Sequence, residues 1–170
     1  MSNALPLPDE TRDDFRKAAW PFYWVVRVSA VYTRIMEDVL KPIGLDMPAW
    51  RVLMSLHEGK SAEGSGNSGS LSISEIADFC VIRLNTTTKI IQRMTAEGLV
   101  ERYQSPSDGR VTEVRITEKG ERARRLAWAE AERIFAAGFK SIGPADIETT
   151  NATLQHVFAN LHHLRGFMPD

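Results

Sequence analysis

The stretch IRLNTTTKIIQRM, residues 82–94, gathers residue types suited to contact with a polyanion. Arg83, Lys89 and Arg93 are cations, and no acid lies between the first and the last of them. Lys89 and Arg93 are one helical turn apart, so a helix presents both on one side, within reach of phosphates or guanine. Thr86, Thr87 and Thr88 are short and hydroxylated. Such a run disfavours a helix interior, because branched Cβ atoms lose rotamer freedom and hydroxyls compete for the backbone. At a helix start it fits better. Free N–H groups there favour an anion, and short side chains let the helix end approach a groove, offering hydroxyls to phosphates or base edges and methyls to thymine. Asn85 is the expected N-cap. Leu84, Ile91 and Met94 are the expected buried face.

A second group is Asp108-Gly109-Arg110, at the end of SPSDGR (105–110). The segments on either side, LVERYQ and VTEVRIT, alternate like strands, so Asp108, Gly109 and Arg110 sit at the tip of a β-hairpin. Gly109 is expected to permit a tight turn and Asp108 to pair with an arginine and hold the tip in shape. Arg110 then extends outward, where a narrow A·T-rich minor groove attracts such a side chain. Arg102 and Arg115 add charge along the strands.

A third group is aromatic. Trp20, Tyr23, Trp24 and Arg27 fall at i, i+3, i+4 and i+7, one helical face, and Trp50 and His57 in the next helical segment are candidates to join them. An aromatic wall with one arginine suits an aromatic carboxylate. Core or interface packing with a solvated arginine is the alternative. Cys80, the only cysteine, ends a helix between Phe79 and Val81 and reads as a buried structural thiol. His156, His162 and His163 lack the i, i+4 spacing of a metal pair, so neither metal nor cofactor is expected.

The elements that must position these groups follow from periodicity and punctuation. Residues 1–10 read as a disordered lead-in. Residues 11–41 carry a broad apolar stripe with Pro21 starting or kinking the helix. KPIGLD is a stop and turn, and 47–58 form a short helix with Pro48 in its first turn. The Gly/Ser-rich 59–70 reads as a flexible surface loop. Ser72 and Glu75 make an S-x-x-E capping box for a helix whose buried side is Ile76 and Phe79. A short turn, VIRLN, then leads into the threonine-bearing helix, giving a helix-turn-helix. Thr117 caps a long charged helix, whose Glu/Arg alternation over 118–132 reads as pairing on a solvated face. Pro144 opens a last helix with Ile147, Leu154, Phe158 and Leu161 at helical spacing. A helix-turn-helix followed at once by a β-hairpin is a winged helix. The fold class is mainly α with a small β-hairpin wing. The expected division is 11–45 as an N-terminal dimerisation helix, 46–118 as the winged lobe and 119–170 as C-terminal dimerisation helices.

Across all 170 residues the formal net charge is −1, so any case for nucleic acid rests on local charge. One cysteine excludes an intramolecular disulfide and fits a reducing compartment. No apolar run reaches membrane-spanning length and no signal peptide opens the chain, so a soluble cytoplasmic protein is expected. The chain carries no Gly-rich phosphate loop, metal-ligand spacing or nucleophile elbow, which argues against an enzyme.

The segment LSISEIADFCVIRLNTTTKIIQRMTAEGLVERYQSPSDGRVTEVRITEKG resembles the core of the MarR (multiple antibiotic resistance regulator) family of winged-helix transcription factors. The resemblance is carried by Thr88-Lys89, where the family has Thr-Arg, by GLVER (98–102), by Asp108-Gly109-Arg110 and by ITEKG (116–120). GLDMPAWRVLMSL resembles the segment after the first helix, and the likeness spans roughly residues 20–165. It implies a homodimer, joined through the N- and C-terminal helices, on a pseudo-palindromic DNA operator. By that analogy Thr86, Thr87, Thr88, Lys89 and Arg93 are the helix contacts and Arg110, supported by Asp108, the wing contact. It also implies a repressor released by a small aromatic effector held between the dimer helices and the DNA-binding lobe, with Trp20, Tyr23, Trp24, Arg27, Trp50 and His57 as candidates. Lys89 keeps the charge of the usual arginine but loses its planar fork. A winged-helix protein-interaction module without sequence-specific DNA binding is the alternative.

Overall fold

The computed structural model describes residues 19–61 and 69–165. The expected lead-in, the start of the first helix before residue 19 and most of the Gly/Ser loop lie outside the described residues. The chain falls into two compact units, Met1–Ala131 and Glu132–Asp170.

In the first unit, α1 (Pro21–Leu40) starts on Pro21, whose missing N–H is one the first turn leaves unbonded anyway. Only Met36 and Leu40 of this helix are buried. A 3₁₀ turn over Lys41–Ile43 ends at Gly44, whose φ of 78° is left-handed and favours glycine. Asp46 then caps α2 (Met47–Ser61), its Oδ1 accepting from the Ala49 N–H at 2.9 Å. The helix runs past the expected end at 58. Gly59 lies within it, where a Cβ would sit 2.9 Å from a Leu71 methyl.

Strand β1 (Ser70–Ser72) is an element the sequence reading does not anticipate, which ends the loop at Ser70 and takes Ser72 as a helix cap. It pairs antiparallel with β3 (Thr112–Ile116), which pairs antiparallel with β2 (Val100–Gln104), giving the order β1-β3-β2. Leu71 faces Val114 across one ladder, and Arg102 faces Val114 across the other. Between β1 and β2 run α3 (Ile73–Cys80) and α4 (Leu84–Ala96). The Ser72/Glu75 capping box forms in both directions, at 3.2 and 2.7 Å. The turn into α4 passes through Val81 at a φ of 52°, an uncommon conformation for a β-branched residue. A Schellman motif closes α4: Leu99 N–H donates to Met94 O, Gly98 N–H to Thr95 O, and Gly98 takes the positive φ.

The core of this unit is built from Met36, Leu40, Val52, Leu53, Leu56, Ile76, Ile91, Met94, Val100 and Val114. Phe79 is not part of it and is 58% exposed. The buried arc of α3 is centred on Ile76, Ala77 and Cys80, and Phe79 falls outside its edge. Helix α5 (Glu118–Gly138) follows the wing, and the boundary between the units lies within it. Its cap is Thr117, whose Oγ1 accepts from the Gly120 N–H at 3.0 Å. In the second unit Pro144 opens α6 (Pro144–Arg165), whose Leu154, Phe158, Leu161 and Leu164 are exposed. Among the described residues no helix is long and apolar enough to cross a membrane.

Candidate nucleic-acid interface

The N-terminus of α4 is built differently from the sequence expectation. The N-cap is Arg83, in an extended conformation and with no side-chain cap bond, so Asn85 lies inside the first turn. The Arg83 carbonyl accepts from the N–H groups of Thr86 and Thr87, both at 2.9 Å. Thr87 is fully buried and takes the central place on the core face with Ile91 and Met94. Its hydroxyl donates to Arg83 O at 3.2 Å, so a side-chain groove contact is not available to it. Thr88 donates its hydroxyl to Leu84 O at 2.9 Å. Leu84, expected on the buried face, is 50% exposed because the first residue of α4 projects past the edge of the core. Arg83, Leu84, Asn85, Thr86, Lys89 and Gln92 form the exposed surface of this helix together with Arg93.

Arg93 is committed to an acid. Its guanidinium lies 2.7 Å from Asp46 Oδ2 and 3.9 Å from Glu97. Asp46 therefore serves two helices, capping α2 with one oxygen and holding α4 with the other. Arg83 and Lys89, by contrast, make no ion pair among the described residues.

At the wing tip the Asp108 carboxylate accepts from the backbone N–H of Arg110 at 2.9 Å, and Val111 N–H donates to Asp108 O. The tip is thus shaped by an Asx turn and not by the expected ion pair with an arginine. Gly109 has no positive φ, and a Cβ there would meet nothing within 4 Å, so this turn does not depend on glycine. The Arg110 guanidinium makes no ion pair among the described residues. Arg115 is used up inside the wing, its Nε 2.6 Å from Glu101 and its guanidinium over the Tyr103 ring at 5.4 Å.

The wing root holds a residue that sequence reading missed. Glu113 is nearly buried and accepts from the hydroxyls of Ser70 and Tyr103, the latter at 3.0 Å. Hydrogen bonding from Ser105, then Ser70 and Tyr103, holds its carboxyl below the usual carboxylate range against the opposing effect of desolvation. This cluster ties β1 to the hairpin. The only advance signal is an acid in the middle of an alternating strand.

The aromatic candidates separate into two groups. Trp20, Tyr23, Trp24 and Arg27 lie along α1, with Tyr23 edge-on to Trp24 at 5.1 Å and the Arg27 guanidinium 5.3 Å over the Tyr23 ring. Trp50 is buried against Trp128, ring centres 6.5 Å apart. His57 Nδ1 approaches Glu121 Oε2 at 3.9 Å. Glu121 is paired at 2.7 Å with Arg124, which is buried in spite of the solvated face expected for this helix. Arg124, then His57 and Arg125, hold the Glu121 carboxyl below its ordinary range. Trp128, Glu121 and Arg124 were hidden in a segment whose charge alternation looks like pairing in solvent. Cys80 is buried, and burial pushes its thiol above the ordinary value. Its carbonyl accepts from the Arg51 guanidinium.

Comparison with known proteins agrees with this architecture. The MarR family model matches residues 66–112, which hold α3, α4, β2 and the wing tip and end where β3 begins. The HTH-type transcriptional repressor IacR of Pseudomonas putida is 43% identical over 156 residues, covering 92% of this chain and 88% of that protein. Among solved structures, CouR from Rhodococcus jostii RHA1 bound to p-coumaroyl-CoA superposes with a TM-score of 0.69 at 24% identity, over 80% of this chain and 90% of the other. BpsR of Bordetella bronchiseptica, whose DNA binding is regulated by 6-hydroxynicotinic acid, gives a TM-score of 0.69 at 19% identity, over 84% and 96%. A helix-turn-helix with its wing, matched by the family model and by a repressor across nearly its whole length, places the chain in the MarR family of winged-helix transcriptional regulators.

Proposed function

We propose that the chain is a dimeric repressor that reads a pseudo-palindromic DNA operator in the cytoplasm and is released by a small aromatic acid. It acts by binding and not by catalysis. One observation carries the DNA reading: Arg83 at the N-cap of α4, Lys89 on that helix and Arg110 at the wing tip are exposed cations with no ion pair among the described residues. Three acids of the lobe are used elsewhere, Asp46 on Arg93, Glu101 on Arg115 and Asp108 on its own turn. Helix α4 enters a major groove with its N-terminus leading, and Arg110 reaches the flanking minor groove. Thr86 and Thr88 line the approach, and Thr87 supports it from the core.

Each phosphate neutralised by a cation steepens the salt dependence of binding by about one logarithmic unit per unit of log salt. Lys89→Ala therefore lowers that slope by about one per subunit, and Arg110→Ala weakens binding most on operators with A·T-rich flanks. Fluorescence anisotropy over a salt series reads both. Arg93→Ala, in contrast, leaves the slope unchanged, because Asp46 and Glu97 already neutralise Arg93. A fall of about one unit in that variant would return Arg93 to the list of phosphate contacts.

The effector reading rests on the α1 cluster. Tyr23 and Trp24 offer ring faces and Arg27 a cation for a carboxylate, and p-coumaroyl-CoA and 6-hydroxynicotinic acid, the ligands of CouR and BpsR, are both aromatic. Trp50 and His57 belong with Trp128 and Glu121, so they bear on the effector through the packing of α2 on α5. Across a panel of aromatic carboxylates, Arg27→Ala is expected to raise the concentration that releases DNA about tenfold, the scale of one charge-assisted bond. Unchanged release would remove Arg27 from the site.

A further inference from the structure

Base reading by α4 falls to the side chains that the helix leaves exposed and uncommitted. Thr87 is buried with its hydroxyl on Arg83 O, Thr88 spends its hydroxyl on Leu84 O, and Arg93 is held by Asp46. On the first two turns this leaves Leu84, Asn85, Thr86 and Lys89. Lys89 is a flexible point charge, suited to a phosphate more than to a base edge.

Leu84 stands apart in this set. It continues the face formed by Thr87, Ile91 and Met94, yet it is 50% exposed, directly after the N-cap Arg83 on the helix that carries Lys89. No acid lies on the helix before Glu97. An exposed apolar side chain on a helix whose exposed charges are cations matches a polyanionic surface that carries an apolar protrusion. The DNA major groove has one such protrusion, the 5-methyl group of thymine. The geometry points to Leu84 as a specificity-determining residue that packs on a thymine methyl in each operator half-site. This rests on the DNA-binding reading above and adds to it a chemical requirement on the operator.

The test uses deoxyuridine, which keeps the pairing edge of thymine and lacks only the methyl. Operator thymines from the upstream region of the protein's own gene are replaced one symmetric pair at a time, and binding is measured by anisotropy. At one pair the wild-type chain loses about fourfold per half-site, the value of one buried methyl, and about fifteenfold for the two. Leu84→Ala binds the thymine operator more weakly by a similar factor and no longer responds to deoxyuridine at that pair. Its salt slope is unchanged. Leu84→Met keeps a long apolar side chain and keeps the response. Leu84 is half exposed and first in its helix, and alanine is a good helix former, so the variant folds, which circular dichroism checks. A Leu84→Ala variant that retains the full deoxyuridine effect, or that binds as the wild type does, overturns the inference while leaving DNA binding intact. A wild-type chain with no preference for upstream DNA over a scrambled duplex overturns the DNA reading, and the inference falls with it.

Discussion

Gly120→Ala is expected to destabilise the winged lobe by about 3 kcal/mol or more, well beyond an ordinary surface substitution. A Cβ at this position would lie 2.1 Å from the Leu99 carbonyl oxygen and 2.9 Å from an Ile116 side-chain carbon. The clash is with backbone, and that backbone is pinned. Leu99 O accepts from the Thr117 N–H at 3.1 Å and from the Thr117 hydroxyl at 3.0 Å, while Thr117 itself caps α5 through Gly120. The start of β2, the end of β3 and the first turn of α5 meet at this one point. Relief of the overlap therefore breaks the cap or the ladder. For a chain of this size the melting temperature falls on the order of 10 °C. A urea or thermal melt within about 1 kcal/mol of wild type would contradict this account of Gly120.

The second large effect concerns α6. Leu154, Phe158 and Leu161 lie at i, i+4 and i+7 and are all exposed, so in the unit Glu132–Asp170 the described residues leave an apolar stripe uncovered. Such a stripe marks an interface, and the partner proposed is a second copy of this chain. Leu154→Asp combined with Phe158→Asp puts two like charges into that interface. The expected product is a folded monomer, because neither side chain is buried within the chain. Operator affinity falls at least about a hundredfold, since one half-site is then read without the avidity of two. Light scattering and anisotropy on the same sample check both statements. A dimer of unchanged mass would remove α6 from the interface.

What the sequence disclosed is local in origin. The capping box at Ser72 and Glu75, the Thr117 cap, Pro21 and Pro144 at helix starts, and the alternation of the wing strands are each set by neighbouring residues. The caps and helix starts appear in the structure as read, and the two wing strands form, although adjacent Glu113 and Val114 are both buried. What it concealed depends on partners far along the chain. Strand β1 is three residues long and exists because β3 pairs with it, Ser70 opposite Arg115. The burial of Glu113 needs hydroxyls from Ser70 and Tyr103. Arg93 reads as a DNA contact until Asp46, at the start of another helix, is placed beside it. The helix begins two residues earlier than Asn85 suggests, with Thr87 buried on its core face and Leu84 half-exposed as its first residue. In the same way, the spacing that groups Trp20, Tyr23, Trp24 and Arg27 holds within one helix. Trp50 answers instead to Trp128, which no local pattern joins to it.

The central claim is that the exposed cations of α4 and the wing read a specific operator. Its most direct test is anisotropy binding to duplex DNA from the upstream region of the protein's own gene and to a scrambled duplex, at two salt concentrations. The prediction is strong preference for the upstream duplex, affinity that falls steeply as salt rises, and loss of that preference in the Arg110→Ala variant. Equal and weak binding to both duplexes, unchanged by Arg110→Ala, would contradict the account and favour a winged-helix module that binds protein in place of DNA.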